Sequence, residues 1–272
     1  MPRITANNCE MYYELDDYTD PWLKDKDTIW LQHGIGRSSR FWYHWVPALA
    51  RRYQVVRRDM RGHGFSADPG PHHNWTVDEL LDDMRAFLDA LGLDRVHYLG
   101  ESIGGILGVA FAAKWPERLK SLTVCASPTA IRPPALVALT GGERELGSEL
   151  ARLGGGGWVK ILMQQNIISG KDPAHIEWVV NEWSRTPTHV LRGINRMLAK
   201  ADISPLLPQV KVPTLVLAPS RSPLTPLSDQ LTIRNSIPNA RMAVIEGPGH
   251  EIYVDEPEEC INAFRTFLNT MA

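Results

Sequence analysis

Residues 95–105 read Arg95-Val96-His97-Tyr98-Leu99-Gly100-Glu101-Ser102-Ile103-Gly104-Gly105. The first five alternate apolar and polar side chains, as in a short strand. Residues 103–114 are apolar and rich in small side chains, as in a buried helix. A serine therefore stands at a strand-to-helix junction with a glycine two positions away on each side, the G-x-S-x-G pattern of a nucleophile elbow. A turn this sharp holds the serine in a strained backbone conformation and lifts its hydroxyl above the sheet. A side chain at either flanking position would collide with the turn, so both are glycine. The helix that follows directs its first N–H groups at the same point and favours negative charge developing there.

On both sides of this junction, short strand-like runs alternate with helical patterns. That rhythm predicts a mostly parallel sheet flanked by helices. Upstream, residues 4–15 read as a hairpin turning at Asn7-Asn8, residues 28–32 (TIWLQ) and 54–58 as strands, and residues 40–51 as a helix. Residues 76–91 carry Leu80, Leu81, Met84, Phe87, Leu88 and Leu91 at helical spacing, with Thr76 and Glu79 placed as a capping box. Downstream, residues 119–125, 213–218 and 241–245 read as strands and residues 226–237 and 257–271 as helices. Between 128 and 213 the alternation stops. The gap far exceeds the about 2–6 residues of an ordinary loop between strand and helix. It predicts a helical insertion over one end of the sheet, with breaks at 154–157, at Lys171-Asp172-Pro173 and at Thr186-Pro187. The glycine run 154–157 reads as a hinge or helix break.

Composition narrows the function. Of 272 residues, 43% are hydrophobic and 22% charged, which excludes an intrinsically disordered chain. Basic residues number 29 and acidic residues 31, for a net charge of −2, so no field is available to grip nucleic acid or an anionic membrane. Cys9, Cys125 and Cys260 show no metal-binding spacing and read as reduced thiols. The N-terminal stretch has no apolar signal core, and the most apolar run, 103–113, is too short for a span of about 20 residues. The expected setting is the cytoplasm.

A serine hydroxyl needs a base to act as nucleophile. His250, in Gly247-Pro248-Gly249-His250 after the last strand, follows Ser102 in the order this architecture uses. His72, His73, His175 and His189 read as surface or cap residues, and His97 as structural. A tetrahedral oxyanion needs N–H donors. The candidates are the N–H of Ile103 and that of Ile35, in the His33-Gly34-Ile35-Gly36 loop, where Gly34 would let the backbone approach a substrate. His33 reads as a residue that shapes this loop.

Five landmarks in order carry a resemblance to the alpha/beta-hydrolase superfamily over essentially the whole chain. They are Leu31-Gln32-His33-Gly34, the segment Arg58-Asp59-Met60-Arg61-Gly62-His63-Gly64-Phe65-Ser66, Gly100-Glu101-Ser102-Ile103-Gly104-Gly105, Val212-Pro213-Thr214-Leu215-Val216-Leu217, and Gly247-Pro248-Gly249-His250. The chain is most similar to the branch that holds enol-lactonases, meta-cleavage-product hydrolases and small carboxylesterases. The resemblance implies an α/β fold with a mostly parallel eight-stranded sheet. The core would comprise 1–128 and 213–272, and a four-helix cap 129–212. It also implies that Asp59 and His63 are structural.

One position departs from that family. The loop after strand 213–218 should supply an aspartate to orient the histidine, and Ser222 stands there instead. The stretch Ala126-Ser127-Pro128-Thr129-Ala130, which supplies the acid in some relatives, has no carboxylate either. Replacing a triad aspartate costs on the order of 10⁴ in kcat in serine proteases. Three readings follow: Ser222 orients the imidazole by a neutral hydrogen bond; Glu101, Glu246 or Asp59 reaches it; or the reaction asks less of its base. Ser222 is the favoured orienter. In the cap, Trp158, Met163, Trp178 and Trp183 are candidate pocket residues. Arg185, Arg192 and Arg196 read as a solvated helix face rather than a carboxylate anchor.

The expected activity is a cofactor-independent serine hydrolase that cleaves a small to mid-sized ester or lactone through an acyl-enzyme on Ser102. Rival readings on the same scaffold are carbon–carbon hydrolysis, a lyase, a cofactor-free oxygenase, or a receptor with vestigial activity. A small-molecule substrate is the expected partner, nucleic acid and membrane are not, and a homodimer is left open.

Overall fold

A computed structural model of the 272-residue chain describes residues 2–132, 135, 139, 146–247 and 249–271, the side chains of 146–149 excepted. Pro248 lies outside them. β1 (Arg3–Ala6) and β2 (Cys9–Asp16) form the expected hairpin, with Asn7 (φ 48°) and Asn8 (φ 56°) in the left-handed turn that asparagine tolerates. β3 (Thr28–Gln32), β4 (Gln54–Arg58), β5 (Val96–Glu101), β6 (Leu119–Cys125), β7 (Thr214–Pro219) and β8 (Ala240–Ile245) complete an eight-stranded sheet in the order β1-β2-β4-β3-β5-β6-β7-β8. The β1–β2 and β2–β4 pairs are antiparallel and the others parallel. Every residue of β3, β5 and β7 is buried, as strands covered on both faces must be.

The strand order decides where a ligand can sit. From β3 the chain crosses to β4 on one side, then returns to place β5 on the other side of β3. Loops leaving the carboxyl ends of β3 and β5 therefore diverge and leave a crevice between them. The register sets Gln32 beside Gly100 and Glu101 beside Cys125, so the ends of β3, β5 and β6 open onto one place.

The flanking helices are α1 (Trp45–Leu49), α2 (Val77–Ala90), α3 (Ile103–Lys114), α7 (Leu227–Ser236), α8 (Ile252–Asp255) and α9 (Pro257–Asn269). Thr76 caps α2, its hydroxyl accepting the Glu79 N–H at 3.2 Å. α3 is buried all round from Ile103 to Ala112, which accounts for its uniformly apolar sequence. Residues 40–51 do not form the expected helix. A 3₁₀ turn, Ser39–Trp42, gives way to the five-residue α1. Pro47 lacks the N–H that would bond the Tyr43 carbonyl, so one helix cannot run through.

Between β6 and β7, the described part of the insert holds α4 (Leu146–Gln164), α5 (Pro173–Ser184), α6 (Thr188–Leu198) and a 3₁₀ helix, Ser204–Gln209. The break before α5 is where the sequence places it: the Asp172 carboxylate caps the helix by accepting the His175 N–H at 2.9 Å, and Pro173 takes the first turn. The glycine run holds the expected break, a kink at its first residue. Gly154 alone leaves helical geometry (φ 63°, ψ −178°), and 155–157 continue α4. A Cβ on Gly155 would overlap the Trp183 carbonyl, and one on Gly156 the Ser184 hydroxyl. The run exists so that α4 can lie against α5. The cap is tied to the core by Ser38 Oγ and Arg40 Nη1, which donate to Glu182 at 3.2 and 2.5 Å.

Candidate active site

Ser102 sits between β5 and α3 at φ 52°, ψ −116°, a conformation that L-residues adopt only when their surroundings impose it. Three bonds impose it here. The Ser102 N–H donates to the Cys125 carbonyl at 3.0 Å, the Ser102 carbonyl accepts from Ser127 Oγ at 2.8 Å, and Tyr98 Oη donates to the Gly104 carbonyl at 2.7 Å. The flanking glycines are close approaches. A Cβ on Gly100 would overlap the Gly104 backbone, and one on Gly104 would stand 2.7 Å from the Gln32 carbonyl oxygen. The Ile103 N–H opens α3 with no acceptor inside the helix.

His250 faces the same cavity as Ser102, in the loop between β8 and α8. Its backbone N–H donates to the Ile167 carbonyl of the cap at 3.0 Å, so cap and base are coupled. The imidazole is buried. Nδ1 lies 3.2 Å from Ser222 Oγ and 3.3 Å from Thr225 Oγ1. Nε2 has no hydrogen-bond partner among the described residues. Burial, and then repulsion from Arg37, push His250 down to about 3, so the ring is neutral at neutral pH and these surroundings disfavour its charged form.

Ser222 is where the sequence puts it, against Nδ1, but it does not act alone. Its Oγ already accepts the N–H groups of Leu224 (3.2 Å) and Thr225 (3.1 Å). Those two bonds occupy both lone pairs of a hydroxyl oxygen. Thr225 Oγ1, which donates to Ser222 Oγ at 3.0 Å, keeps its own lone pairs and is the oxygen with acceptor capacity left for an Nδ1–H. The sequence reading used Thr225 only as a landmark and missed this. The cue was a second hydroxyl three residues after Ser222, beyond a proline.

Of the three carboxylates considered, only Glu101 comes near the base. Glu246 is exposed and accepts from Ser220 Oγ at 3.1 Å. Asp59 accepts the N–H groups of Ser39 (2.6 Å) and Phe65 (2.8 Å) and closes a turn. Glu101 is fully buried, with Oε1 3.5 Å from His250 Nε2 and Oε2 3.6 Å from Arg37 Nη1. Burial raises Glu101 to about 7, against the pull of Arg37. Arg37 is itself 3% exposed and donates through Nε to Glu251 at 2.5 Å. Burial alone would lower the pKa of Arg37; Glu101 and Glu251 more than reverse that. Arg37 was not anticipated, although a cation two residues past Ile35, directly after the oxyanion loop, was the signal.

The cavity has a free volume of about 40 Å³. Ile35, Ser102, Leu224 and His250 wall it on the core side, and Trp158, Leu162, Ile167 and Trp183 on the cap side. Arg37 and Asn195 are its other polar walls. Trp158 and Trp183 meet edge to face at 5.4 Å, and Arg37 stands over the Trp183 ring at 5.3 Å. Met163 and Trp178 do not line it. Met163 faces a separate outer groove with Asn166 and Ile176, and Trp178 packs on Phe41 at 4.8 Å. Each lies five residues from a tryptophan that does line the cavity. Five residues at 3.6 per turn is about 140° round a helix, the opposite face.

Gly34 does not line it either. It backs onto Glu101 instead, and a Cβ there would overlap that carboxylate. His33 shapes the loop, accepting the Met60 N–H on Nε2 at 3.0 Å. Arg185 pairs with Glu182 at 3.1 Å, and Arg192 and Arg196 line an outer groove beside Trp75, so none of the three reaches the cavity. Cys9, Cys125 and Cys260 are buried and free. Among the described residues no group of three or more His, Cys, Asp or Glu side chains could hold a metal, and no helix is long and apolar enough to cross a membrane.

Comparison with known proteins agrees with the sheet. A putative carbamate hydrolase RutD of Caulobacter sp. (strain K31) is 31% identical over 90% of this chain and 91% of its own. The chain belongs to the alpha/beta-hydrolase superfamily. The model of the alpha/beta hydrolase fold matches residues 27–141, and that of the TAP-like proteins residues 196–271. Within the superfamily, 3-oxoadipate enol-lactonase 1 of Acinetobacter baylyi is 27% identical over 89% of each chain. Two solved alpha/beta-hydrolase structures share the fold. The enol-lactonase from Burkholderia xenovorans LB400 has a TM-score of 0.79 at 24% identity, over 98% of this chain and 100% of that one. A thermophilic esterase from Thermogutta terrifontis has a TM-score of 0.83 at 24% identity, over 99% and 98%.

Proposed function

We propose that the chain is a serine hydrolase that cleaves a small, largely apolar ester or lactone through an acyl-enzyme on Ser102. The observation that carries this reading is the strained elbow serine sharing a closed cavity with a neutral histidine whose Nε2 is unpartnered. In the reaction the Ser102 proton passes to Nε2 while the hydroxyl oxygen attacks the carbonyl carbon. The N–H groups of Ile103 and Ile35 receive the oxyanion. The Nε2 proton then goes to the leaving alkoxide, and water repeats the sequence to free the acid. Catalytic hydrogen bonds are often long before substrate binds, which fits the absence of a Ser102–His250 bond here. A free volume of about 40 Å³ is below the roughly 300–1,000 Å³ of ordinary ligand sites, so the cap must draw back to admit substrate.

The names of the relatives support hydrolysis of an acyl bond and leave ester, lactone and carbamate as the substrates to compare. Ser102→Ala is expected to lower turnover of a chromogenic ester at least a thousandfold and to abolish fluorophosphonate labelling. Activity within about tenfold of wild type would reject covalent catalysis at Ser102. The neutral third position also favours reactions with a good leaving group, carbon–carbon cleavage included. A burst of alcohol from the chromogenic ester supports the esterase reading over that one.

A further inference from the structure

The charge missing from the loop after β7 is present on the other edge of the ring. Glu101 Oε1 and His250 Nε2 face each other at 3.5 Å, both fully buried, and among the described residues neither atom has a hydrogen-bond partner. The buried carboxylates Asp83 and Asp59 are by contrast fully engaged, the first by Arg61 and Asn7, the second by two N–H groups. Glu101 shares its one cation with Glu251. The Arg37 guanidinium gives Glu251 contacts of 2.5 Å from both Nε and Nη2, and Glu101 a single one at 3.6 Å. With both carboxylates ionised, the cluster holds two negative charges against one positive charge. A buried cluster of that kind is completed by one more positive charge. On the Nδ1 side His250 meets only neutral hydroxyls.

We propose that Glu101 is the positioning residue for His250, its carboxylate balancing the imidazolium that forms when the ring accepts the Ser102 proton, from the Nε2 edge instead of Nδ1. This rests on the hydrolase reading. No extra proton moves. The Ser102 proton goes to Nε2, its oxygen bonds the carbonyl carbon, the carbonyl pair moves to oxygen, and the positive ring lies beside Glu101. In the resting state the ring is neutral and gains nothing from the carboxylate, so the attraction appears only as charge develops.

The groups around Glu101 set its ionisation. The loop after β3 brings Arg37 and the Gly34 N–H, β6 brings Cys125, and the segment after β8 brings His250, Glu251 and Tyr253. Burial is the largest influence and raises Glu101 to about 7; Arg37 opposes it and Glu251 adds to it. His250 stays neutral down to about 3. The active form therefore exists above the Glu101 ionisation and is lost as pH falls through it.

The test uses a fluorophosphonate probe, because its reaction with Ser102 needs the base but no knowledge of the substrate. The rate of labelling is measured from pH 5 to 9. Wild type is expected to show an acid limb near 7. Glu101→Gln is expected to label about 10²-fold more slowly at pH 8, within the range of base catalysis, and to lose that limb. Adding Ser222→Asp puts a carboxylate on Nδ1 and is expected to recover at least tenfold, which also excludes a misfolded variant. A Glu101→Gln protein with the wild-type rate, with a limb still near 7, or without rescue by Ser222→Asp overturns the proposal in favour of a packing role. A wild-type protein that the probe never labels overturns the hydrolase reading itself.

Discussion

Replacing Ser102 by glycine should leave a more stable protein than replacing it by alanine. Both substitutions remove the hydroxyl, so their difference isolates the backbone. At φ 52°, ψ −116° a residue with a Cβ is outside the regions L-residues favour. Such a position costs of the order of 1–3 kcal/mol. Glycine escapes that cost but loses about 0.5–1 kcal/mol more chain entropy on folding than alanine. The balance favours Ser102→Gly over Ser102→Ala by about 1 kcal/mol, or about 2–4 °C in melting temperature for a chain of this size. Two of the three bonds that impose the turn use the backbone of residue 102 and the third joins Tyr98 to Gly104, so both variants keep them. The assay is paired thermal and urea unfolding of the two variants. Equal stability, or an alanine variant that is the more stable, would refute the view that the elbow stores backbone strain at the nucleophile.

Two further outcomes test the site and its roof. Thr225→Val keeps the shape but removes the oxygen with acceptor capacity for Nδ1, so probe labelling should slow about tenfold, the order of one hydrogen bond. Ser222→Ala should slow it less, since its lone pairs already serve two N–H groups, and the reverse ranking would reject the lone-pair count. Gly155→Ala places a methyl against the Trp183 carbonyl, where only backbone movement relieves it. It should destabilise by about 1–3 kcal/mol in urea unfolding and slow labelling, because Trp183 roofs the cavity. A variant indistinguishable from wild type would mean that α4 and α5 are not held at that distance.

Much of this protein is legible in its chain because the features are local demands on the backbone. A serine that must turn sharply needs Gly100 and Gly104 beside it, whatever the rest of the fold does. The hairpin at Asn7-Asn8, the Thr76 cap and the Asp172-Pro173 start of α5 are likewise set by residues within a few positions of one another. The mostly parallel sheet followed from the alternation of strands and helices. The readings that failed needed knowledge of a neighbour. Beyond the break at Gly154, Gly155 and Gly156 make a helix contact that one dimension does not show, because only the path of α5 reveals what a side chain would strike. Met163 and Trp178 are as apolar as Trp158 and Trp183, and the direction of the cavity chose between them.

The partners of the imidazole belong to the same class. By itself, the chain pointed to a strained serine and a histidine on loops at the carboxyl ends of the strands, which line one cavity, and to the lack of an aspartate at the usual place. Only tertiary packing decided which groups took that place. It brought Glu101, next to Ser102, within 3.5 Å of His250, which lies far along the chain, and closed Arg37 and Glu251 around it in a buried cluster. Charge balance in such an interior depends on distances across three loops, and spacing along the sequence does not encode them.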